Sequence, residues 1–129
     1  MRETILVVDD ELFVLNAVCG ILRHAGYDVL RASTPAEALA ISHQYSGPIH
    51  LLLSDVVMPQ MSGPTLADRL EPIHPETIAL FMAGMPDHPE VLARVLPLGR
   101  GFLPKPFTAA TLLSKVEEAL TGVRNELVA

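Results

Sequence analysis

Short apolar runs alternate five times with segments of helical periodicity, and this alternation constrains the fold more than any other feature of the chain. The first run, residues 5–8, is continuous in its apolar character, as expected for a strand buried on both faces. The stripe that follows has apolar residues at three- and four-residue steps, which predicts a helix: Leu12, Leu15, Val18, Cys19 and Leu22. Five strand–helix units with short connections predict an α/β domain whose parallel sheet is covered on both sides.

The other predicted elements repeat this arrangement. Residues 28–32 form a half-polar strand expected near an edge, an apolar run leads into Asp55, and residues 77–82 and 101–103 complete the sheet. Helices are predicted to begin at Thr34-Pro35, at Gly63-Pro64, near residue 90 (running to 96) and after Thr108. We expect one domain over residues 1–129, with a core of about 4–121 and a tail, 122–129, that extends the last helix or frays.

Composition excludes several classes of function. The net charge of −6 argues against direct nucleic acid binding, which requires a basic face. The single cysteine, Cys19, excludes an internal disulfide and suits a reducing compartment. No apolar run is long enough to span a membrane, and the first residues do not resemble a signal peptide. We therefore expect a cytoplasmic protein without membrane insertion.

Charged residues follow three of the predicted strands at the edge where parallel strands end. Asp9 and Asp10 follow the first strand, Asp55 ends the third, and Lys105 follows the fifth. Carboxylates at the ends of neighbouring strands, which lie about 4.8 Å apart, can share one ion. A carboxylate set suits Mg²⁺ or Mn²⁺, and Lys105 provides a compact positive charge for an anion or for Asp55.

Three motifs carry a resemblance to a known family. The Asp-Asp-Glu motif at 9–11, the Asp-x-x-Met-Pro-x-Met-x-Gly motif at 55–63 and the Lys-Pro-Phe motif at 105–107 together resemble the CheY-like receiver domains of two-component response regulators. The similarity covers essentially the whole chain. It implies a flavodoxin-like (βα)5 fold, a doubly wound sheet of five parallel strands in the order 2-1-3-4-5.

The resemblance also implies roles for individual residues. Asp55 becomes the phosphoacceptor, receiving a phosphoryl group from a histidine kinase or a histidine phosphotransfer protein. Asp9, Asp10, Asp55 and the backbone carbonyl of Val57 become ligands of Mg²⁺ (or Mn²⁺). Lys105 becomes the partner of the phosphoryl group and is expected to precede a cis peptide bond to Pro106.

The chain departs from the family where strand four ends. Receivers carry serine or threonine there, and its hydroxyl bonds a phosphoryl oxygen, whereas this chain has Ala83. Such a bond contributes about 1.5–3 kcal/mol. Shifting a two-state equilibrium from 1:99 to 99:1 needs roughly 5.5 kcal/mol, so the missing bond is a large part of the switching energy. The sequence therefore predicts a weakened response of the following loop and of Phe102, which matches the family's switch aromatic. At the two positions that tune hydrolysis, Val57 and Met85 cannot orient a water, which predicts a long-lived phosphoryl group.

Two alternatives to a phosphate-operated switch remain. Ala83 is compatible with an atypical receiver that binds a partner whatever the state of Asp55. A metal-dependent phosphatase is less favoured, because that chemistry pairs the nucleophile with a second acid two residues on, where this chain has Val57. We expect no enzyme in the usual sense, and an output partner on the face formed by helix four, strand five and helix five. The loops after strands three and four resemble receivers attached to hybrid histidine kinases.

Overall fold

The predicted strands and helices all form in the computed structural model, which describes residues 2–128, with side chains described through residue 122. In chain order the elements are β1 (Thr4–Val8), α1 (Leu12–His24), β2 (Asp28–Ala32), α2 (Pro35–Gln44), β3 (Leu51–Asp55), α3 (Gly63–Leu70), β4 (Ile78–Ala83), α4 (Pro89–Arg94), β5 (Gly101–Pro104) and α5 (Ala109–Val128). Thr34 caps α2 as predicted, since its hydroxyl accepts the Glu37 amide hydrogen at 3.0 Å. No helix in the described part of the chain is both long and apolar enough to cross a bilayer.

The sheet has the strand order β2-β1-β3-β4-β5, and all its neighbouring strands are parallel. This confirms the flavodoxin-like order and the edge position of β2. Val8 pairs with Ser54, so β1 and β3 end side by side. The residues that follow these two strands therefore emerge together at one edge of the sheet.

Apolar side chains pack on both faces of the sheet. On one face, α1 and α5 cover a core that includes Leu15, Cys19 and Val116, and Cys19 is buried as predicted. On the other face, α2 and α3 pack against β1 and β3 through Ala38 and Leu66. Leu12, expected in the buried stripe of α1, is instead 55% exposed. It is the first residue of α1, and because helix side chains lean towards the amino-terminal end, the side chain of Leu12 extends past the start of the helix.

The predicted boundaries of β4 and α4 differ from the structure. Strand β4 begins at Ile78, because the Thr77 N–H donates to the His74 carbonyl at 3.1 Å in the turn that follows α3. Helix α4 spans only Pro89–Arg94 and ends before residue 96, since the Leu96 N–H donates to the Val91 carbonyl, five residues back, at 3.0 Å and so departs from the four-residue spacing of an α-helix. Helix α5 continues through Val128, so the tail extends the helix up to that residue. Residue 129 lies outside the described residues.

One carboxylate joins α3 to α4. Asp68 of α3 accepts a hydrogen bond from the Arg94 guanidinium and another, at 3.2 Å, from Arg100. Arg94 also donates to the Thr65 hydroxyl at 2.7 Å. A helix as short as α4 depends on tertiary contacts for its stability, so these bonds anchor its carboxyl-terminal end.

Candidate functional site

The ends of β1, β3 and β5 bring three charged side chains together. Asp9 directly follows β1 and is fully buried, while Asp55 is the last residue of β3 and is 6% exposed. Lys105 directly follows β5, and its backbone N–H donates to the Ala83 carbonyl at 2.8 Å. The Lys105-Pro106 peptide bond is cis, as the resemblance implied. The structure thus brings together Asp9, Asp55 and Lys105.

The Lys105 ammonium lies among carboxylates. Its Nζ donates to Asp9 Oδ2 at 3.0 Å and lies 3.5 Å from Asp55 Oδ2 and 3.9 Å from Glu11 Oε1. A charged hydrogen bond is stronger than a neutral one, and partial burial reduces solvent screening of these charges. Lys105 is therefore the positive centre of an otherwise acidic site.

The electrostatics of the site shift the pKa values of Asp55 and Lys105. Burial raises the pKa of Asp55 to about 6, and the charges of Asp9 and Asp10 add to the rise while Lys105 opposes it. Burial would lower the pKa of Lys105, but its hydrogen bond to Asp9 and the neighbouring carboxylate charges outweigh burial and raise it. Without a metal ion, one lysine does not neutralise the carboxylates around it.

The carboxylates nearest to one another are those of Asp9, Glu11 and Asp55, whose ligand atoms all lie within 4.8 Å. The Glu11 backbone N–H donates to Asp9 Oδ1 at 2.9 Å, and this turn brings the Glu11 side chain back towards the site. Asp10, predicted as a metal ligand, is exposed and lies outside this cluster, although its charge acts on Asp55. Sequence reasoning missed Glu11, and its place next to two acids after a strand was the available signal.

A cavity of about 320 Å³ opens beside Asp55. It is lined by residues from the loops after β1, β3, β4 and β5: Glu11, Asp55, Val57, Ala83, Gly84, Met85, His88 and Lys105. The side chains of Val57 and Met85 are 50% and 59% exposed, whereas Ala83 is buried. Sequence reasoning treated His88 as one of several histidines without a ligand pattern, and nothing in its spacing indicated that it would line this cavity.

Gly63 allows the loop after β3 to approach the backbone of Asp55. A Cβ atom at position 63 would lie 2.3 Å from the Asp55 carbonyl oxygen and 3.2 Å from the Phe81 ring. The Gly63 N–H donates to the Val56 carbonyl at 2.8 Å, which holds the start of α3 against the end of β3. The backbone at Asp55 is therefore fixed by a contact that only glycine permits.

The predicted switch aromatic, Phe102, lies next to the site on β5. It is half-buried and pairs with Phe81 of β4 in the sheet. It packs against a small apolar cluster beneath α4, which consists of Val56, Phe81, Ala83, Val91 and Val95. Through this cluster, Val56, which follows Asp55, packs together with Ala83 at the end of β4 and with Val91 of α4.

Known proteins resemble this chain over nearly its whole length. The family model for the response regulator receiver domain matches residues 5–117. The sensor kinase CckA of Brucella abortus is 40% identical over 119 residues, covering 91% of this chain and 12% of that protein. The tetrathionate response regulatory protein TtrR of Salmonella typhimurium is 31% identical over 118 residues, covering 92% of this chain and 56% of that protein. The chain therefore spans only about half of the length of TtrR and a small part of the length of CckA.

Solved structures have the same fold. A CheY-like response regulator receiver domain from Methanospirillum hungatei superposes with a TM-score of 0.85 at 28% identity, covering 98% of this chain and 99% of that one. The receiver domain of the hybrid histidine kinase CckA superposes with a TM-score of 0.76 at 36% identity, covering 91% and 98%. With the strand order, the site at the strand ends and a family match over most of its length, this chain belongs to the response regulator receiver domains of two-component systems.

Proposed function

We propose that Asp55 accepts a phosphoryl group and that this modification regulates binding of a protein partner. The observation that carries the proposal is the placement of a buried carboxylate at a strand end, 3.5 Å from Lys105 and open to a cavity. A dianionic group attached to Asp55 would need a positive partner within reach. Lys105 is that partner, because its ammonium is held beside Asp55 by the bond to Asp9.

The donor set fits Mg²⁺. Three carboxylates whose oxygens converge within 4.8 Å offer the hard oxygen ligands that this cation prefers. We propose that Asp9 and Asp55 hold the ion together with Asp10 or Glu11 and with the backbone carbonyl of Val57, and Mn²⁺ suits the same ligands. Bound there, the ion would neutralise negative charge on the transferring phosphoryl group.

The residues of the chain position and neutralise the groups that react. An ionised Asp55 oxygen forms a bond to phosphorus as the phosphorus–nitrogen bond of a phosphohistidine breaks, and the electron pair remains on the imidazole nitrogen. Asp55 must be ionised to attack, and the positive charge of Lys105 favours that form by lowering the pKa of Asp55. Lys105 opposes the negative charge that accumulates, which is the main task in phosphoryl transfer.

The proposed partners follow from this chemistry. The donor would be a histidine kinase or a histidine phosphotransfer protein, and the output surface would be the face of α4, β5 and α5, where Phe102 lies. We propose a single receiver domain over residues 1–129 that acts in the cytoplasm, either alone or as part of a longer protein.

Intact-mass analysis tests the proposed function. With acetyl phosphate and Mg²⁺ the chain is expected to gain the mass of one phosphoryl group, and Asp55→Asn is expected to gain none. Asp87→Asn serves as the control, because Asp87 is an exposed acid on the loop after β4. Loss of the mass gain in the control, or its persistence in Asp55→Asn, would assign the phosphoryl group to a different residue.

Ala83 is expected to limit the response to phosphorylation. A threonine at position 83 would add a hydroxyl to the wall of the cavity, where its bond to a phosphoryl oxygen contributes about 1.5–3 kcal/mol. We therefore expect Ala83→Thr to enlarge the phosphorylation-induced change in amide hydrogen exchange over residues 84–102. An unchanged difference between phosphorylated and unphosphorylated protein would show that the hydroxyl adds nothing to the switch.

The phosphoryl group is expected to persist. Val57 and Met85 border the cavity with apolar side chains that cannot orient an attacking water. Val57→Asn is expected to speed loss of phosphate about tenfold, the effect of one added hydrogen bond of about 1.4 kcal/mol in the transition state. Decay of the phosphorylated mass over time measures this rate, with exposed Leu98→Asn as the control. Equal decay in Val57→Asn and the native chain would refute the role of Val57.

An atypical receiver that binds its partner independently of phosphate is the second candidate. The absence of a hydroxyl at position 83 favours it, because the receiver then lacks one contact between the phosphoryl group and the loop after β4. A partner that binds the native chain and Asp55→Asn with equal affinity, whether or not phosphodonor is present, would support this candidate.

A further inference from the structure

His88 lies where the loop after β4 meets α4, and hydrogen bonds hold it on both sides. Its backbone N–H donates to the Met85 carbonyl at 3.2 Å, which folds the loop into a turn. Its ring Nδ1 accepts the Glu90 backbone N–H at 3.1 Å and so caps the amino-terminal end of α4. The position of the ring and the start of α4 are therefore coupled.

The capping bond determines which ring nitrogen of His88 can donate. A backbone amide can only donate, so Nδ1 carries no proton while the cap is formed. In the neutral imidazole the proton must then reside on Nε2. Among the residues whose side chains are described, no partner bonds Nε2. Its N–H is available for a hydrogen bond.

The same residue lines the cavity beside Asp55, together with Lys105 and Ala83. Ala83 has no side-chain donor. The segment between it and His88, Gly84-Met85-Pro86-Asp87, provides none either, since an ionised aspartate only accepts. His88 is thus the first side chain after β4 that can donate a hydrogen bond to an anion in the cavity.

We propose that His88 Nε2–H binds an oxygen of the phosphoryl group on Asp55 and links phosphorylation to α4 in place of the hydroxyl absent at position 83. This proposal rests on the phosphorylation of Asp55 proposed above. The bond would draw the capping residue towards the site, while Asp68 holds the other end of α4 through Arg94. The effect would therefore be concentrated at the amino-terminal end of the helix.

Variants at position 88 separate capping from phosphoryl binding. Asparagine is among the preferred N-cap residues, so His88→Asn keeps a cap for α4 but is too short to replace the reach of Nε2. His88→Gln has a longer amide that can donate, and His88→Ala removes both functions. His43→Asn, at an exposed histidine of α2, is the matched control. Circular dichroism of each variant establishes that it folds.

Hydrogen exchange of residues 84–96 is compared at equal phosphoryl occupancy, read from intact mass after treatment with acetyl phosphate and Mg²⁺. In the native chain and in His43→Asn, phosphorylation is expected to slow exchange at the start of α4 by about tenfold or more, as expected for one charged hydrogen bond. His88→Asn and His88→Ala are expected to lose this protection, whereas His88→Gln is expected to retain part of it. The double variant Ala83→Thr with His88→Asn is expected to recover the protection, because the threonine hydroxyl supplies the missing donor. Full protection in His88→Asn would overturn the proposal.

The imidazole ¹⁵N resonances give a second readout that a purely structural role of His88 would not change. Phosphodonor is expected to shift the Nε2–H resonance of His88 in the native chain and to leave it unshifted in Asp55→Asn. A native chain that gains phosphoryl mass without this shift would refute the role of His88 and leave the proposed function intact. A native chain that gains no mass would refute both.

Discussion

Replacing Lys105 by methionine is expected to lower the free energy of unfolding in metal-free buffer by about 3–5 kcal/mol, the cost of removing one partner from a buried ion pair. The Lys105 ammonium lies 3.0 Å from Asp9 and 3.5 Å from Asp55, and the Asp9 side chain is completely buried. Without the lysine, the remaining carboxylates repel one another in a partly desolvated site. Chemical denaturation followed by circular dichroism measures the change, since the chain has no tryptophan.

The control for this variant is Lys115→Met. Lys115 pairs with Glu118 on the surface of α5, with side chains 40% and 73% exposed, and such pairs contribute about 1 kcal/mol or less. Saturating Mg²⁺ is expected to restore much of the stability lost in Lys105→Met, because the cation binds the folded carboxylate cluster. A loss below about 1 kcal/mol would mean that solvent already screens these charges.

Replacing Asp55 by asparagine is expected to have the opposite effect and to stabilise the metal-free fold by about 2–3 kcal/mol at neutral pH. The pKa of Asp55 is raised in the folded state to about 6, against about 3.9 in an unfolded chain, and one unit corresponds to 1.36 kcal/mol. The folded protein therefore holds the Asp55 proton more tightly than the unfolded chain does. The ionised form costs stability, and asparagine removes that cost while nearly preserving the shape of the side chain.

The pH dependence follows from the same shift. Well below pH 4 Asp55 is protonated in both states, so the native chain and the variant are expected to differ little. As pH rises towards 6, the unfolded chain releases the Asp55 proton while the folded chain still holds it, so the free energy of unfolding of the native chain falls. Above pH 6 the variant is more stable than the native chain by the full predicted difference. Denaturation of both proteins in chelator at several pH values measures this difference, from which the titration of groups distant from Asp55 cancels. A difference independent of pH, or one that decreases as pH rises, would contradict the predicted titration of Asp55.

Much of the fold could be predicted from the sequence because its signals are local. Apolar periodicity and helix-start residues such as Thr34 located all the elements, with errors of a few residues at boundaries such as Thr77. The order of the strands was implied by resemblance and not by periodicity, because periodicity reports which faces are buried and not which strands are neighbours. Leu12 shows the same limitation, since its place in the apolar stripe did not reveal that its side chain is exposed.

The candidate site was likewise predicted only in part from the sequence. The sequence by itself determined that Asp9 and Lys105 follow strands and that Asp55 ends one, and the carboxyl ends of parallel strands meet at one edge. Only the tertiary structure decided that the carboxylate of Glu11, and not that of Asp10, joins this cluster, and that His88 reaches the cavity beside Asp55. Those outcomes depend on how loops turn after the strands end. The turns at Glu11 and His88 are closed by bonds to nearby residues. The pairing of Val8 with Ser54, which brings the end of β1 beside the end of β3, joins distant segments, and no local pattern encodes it.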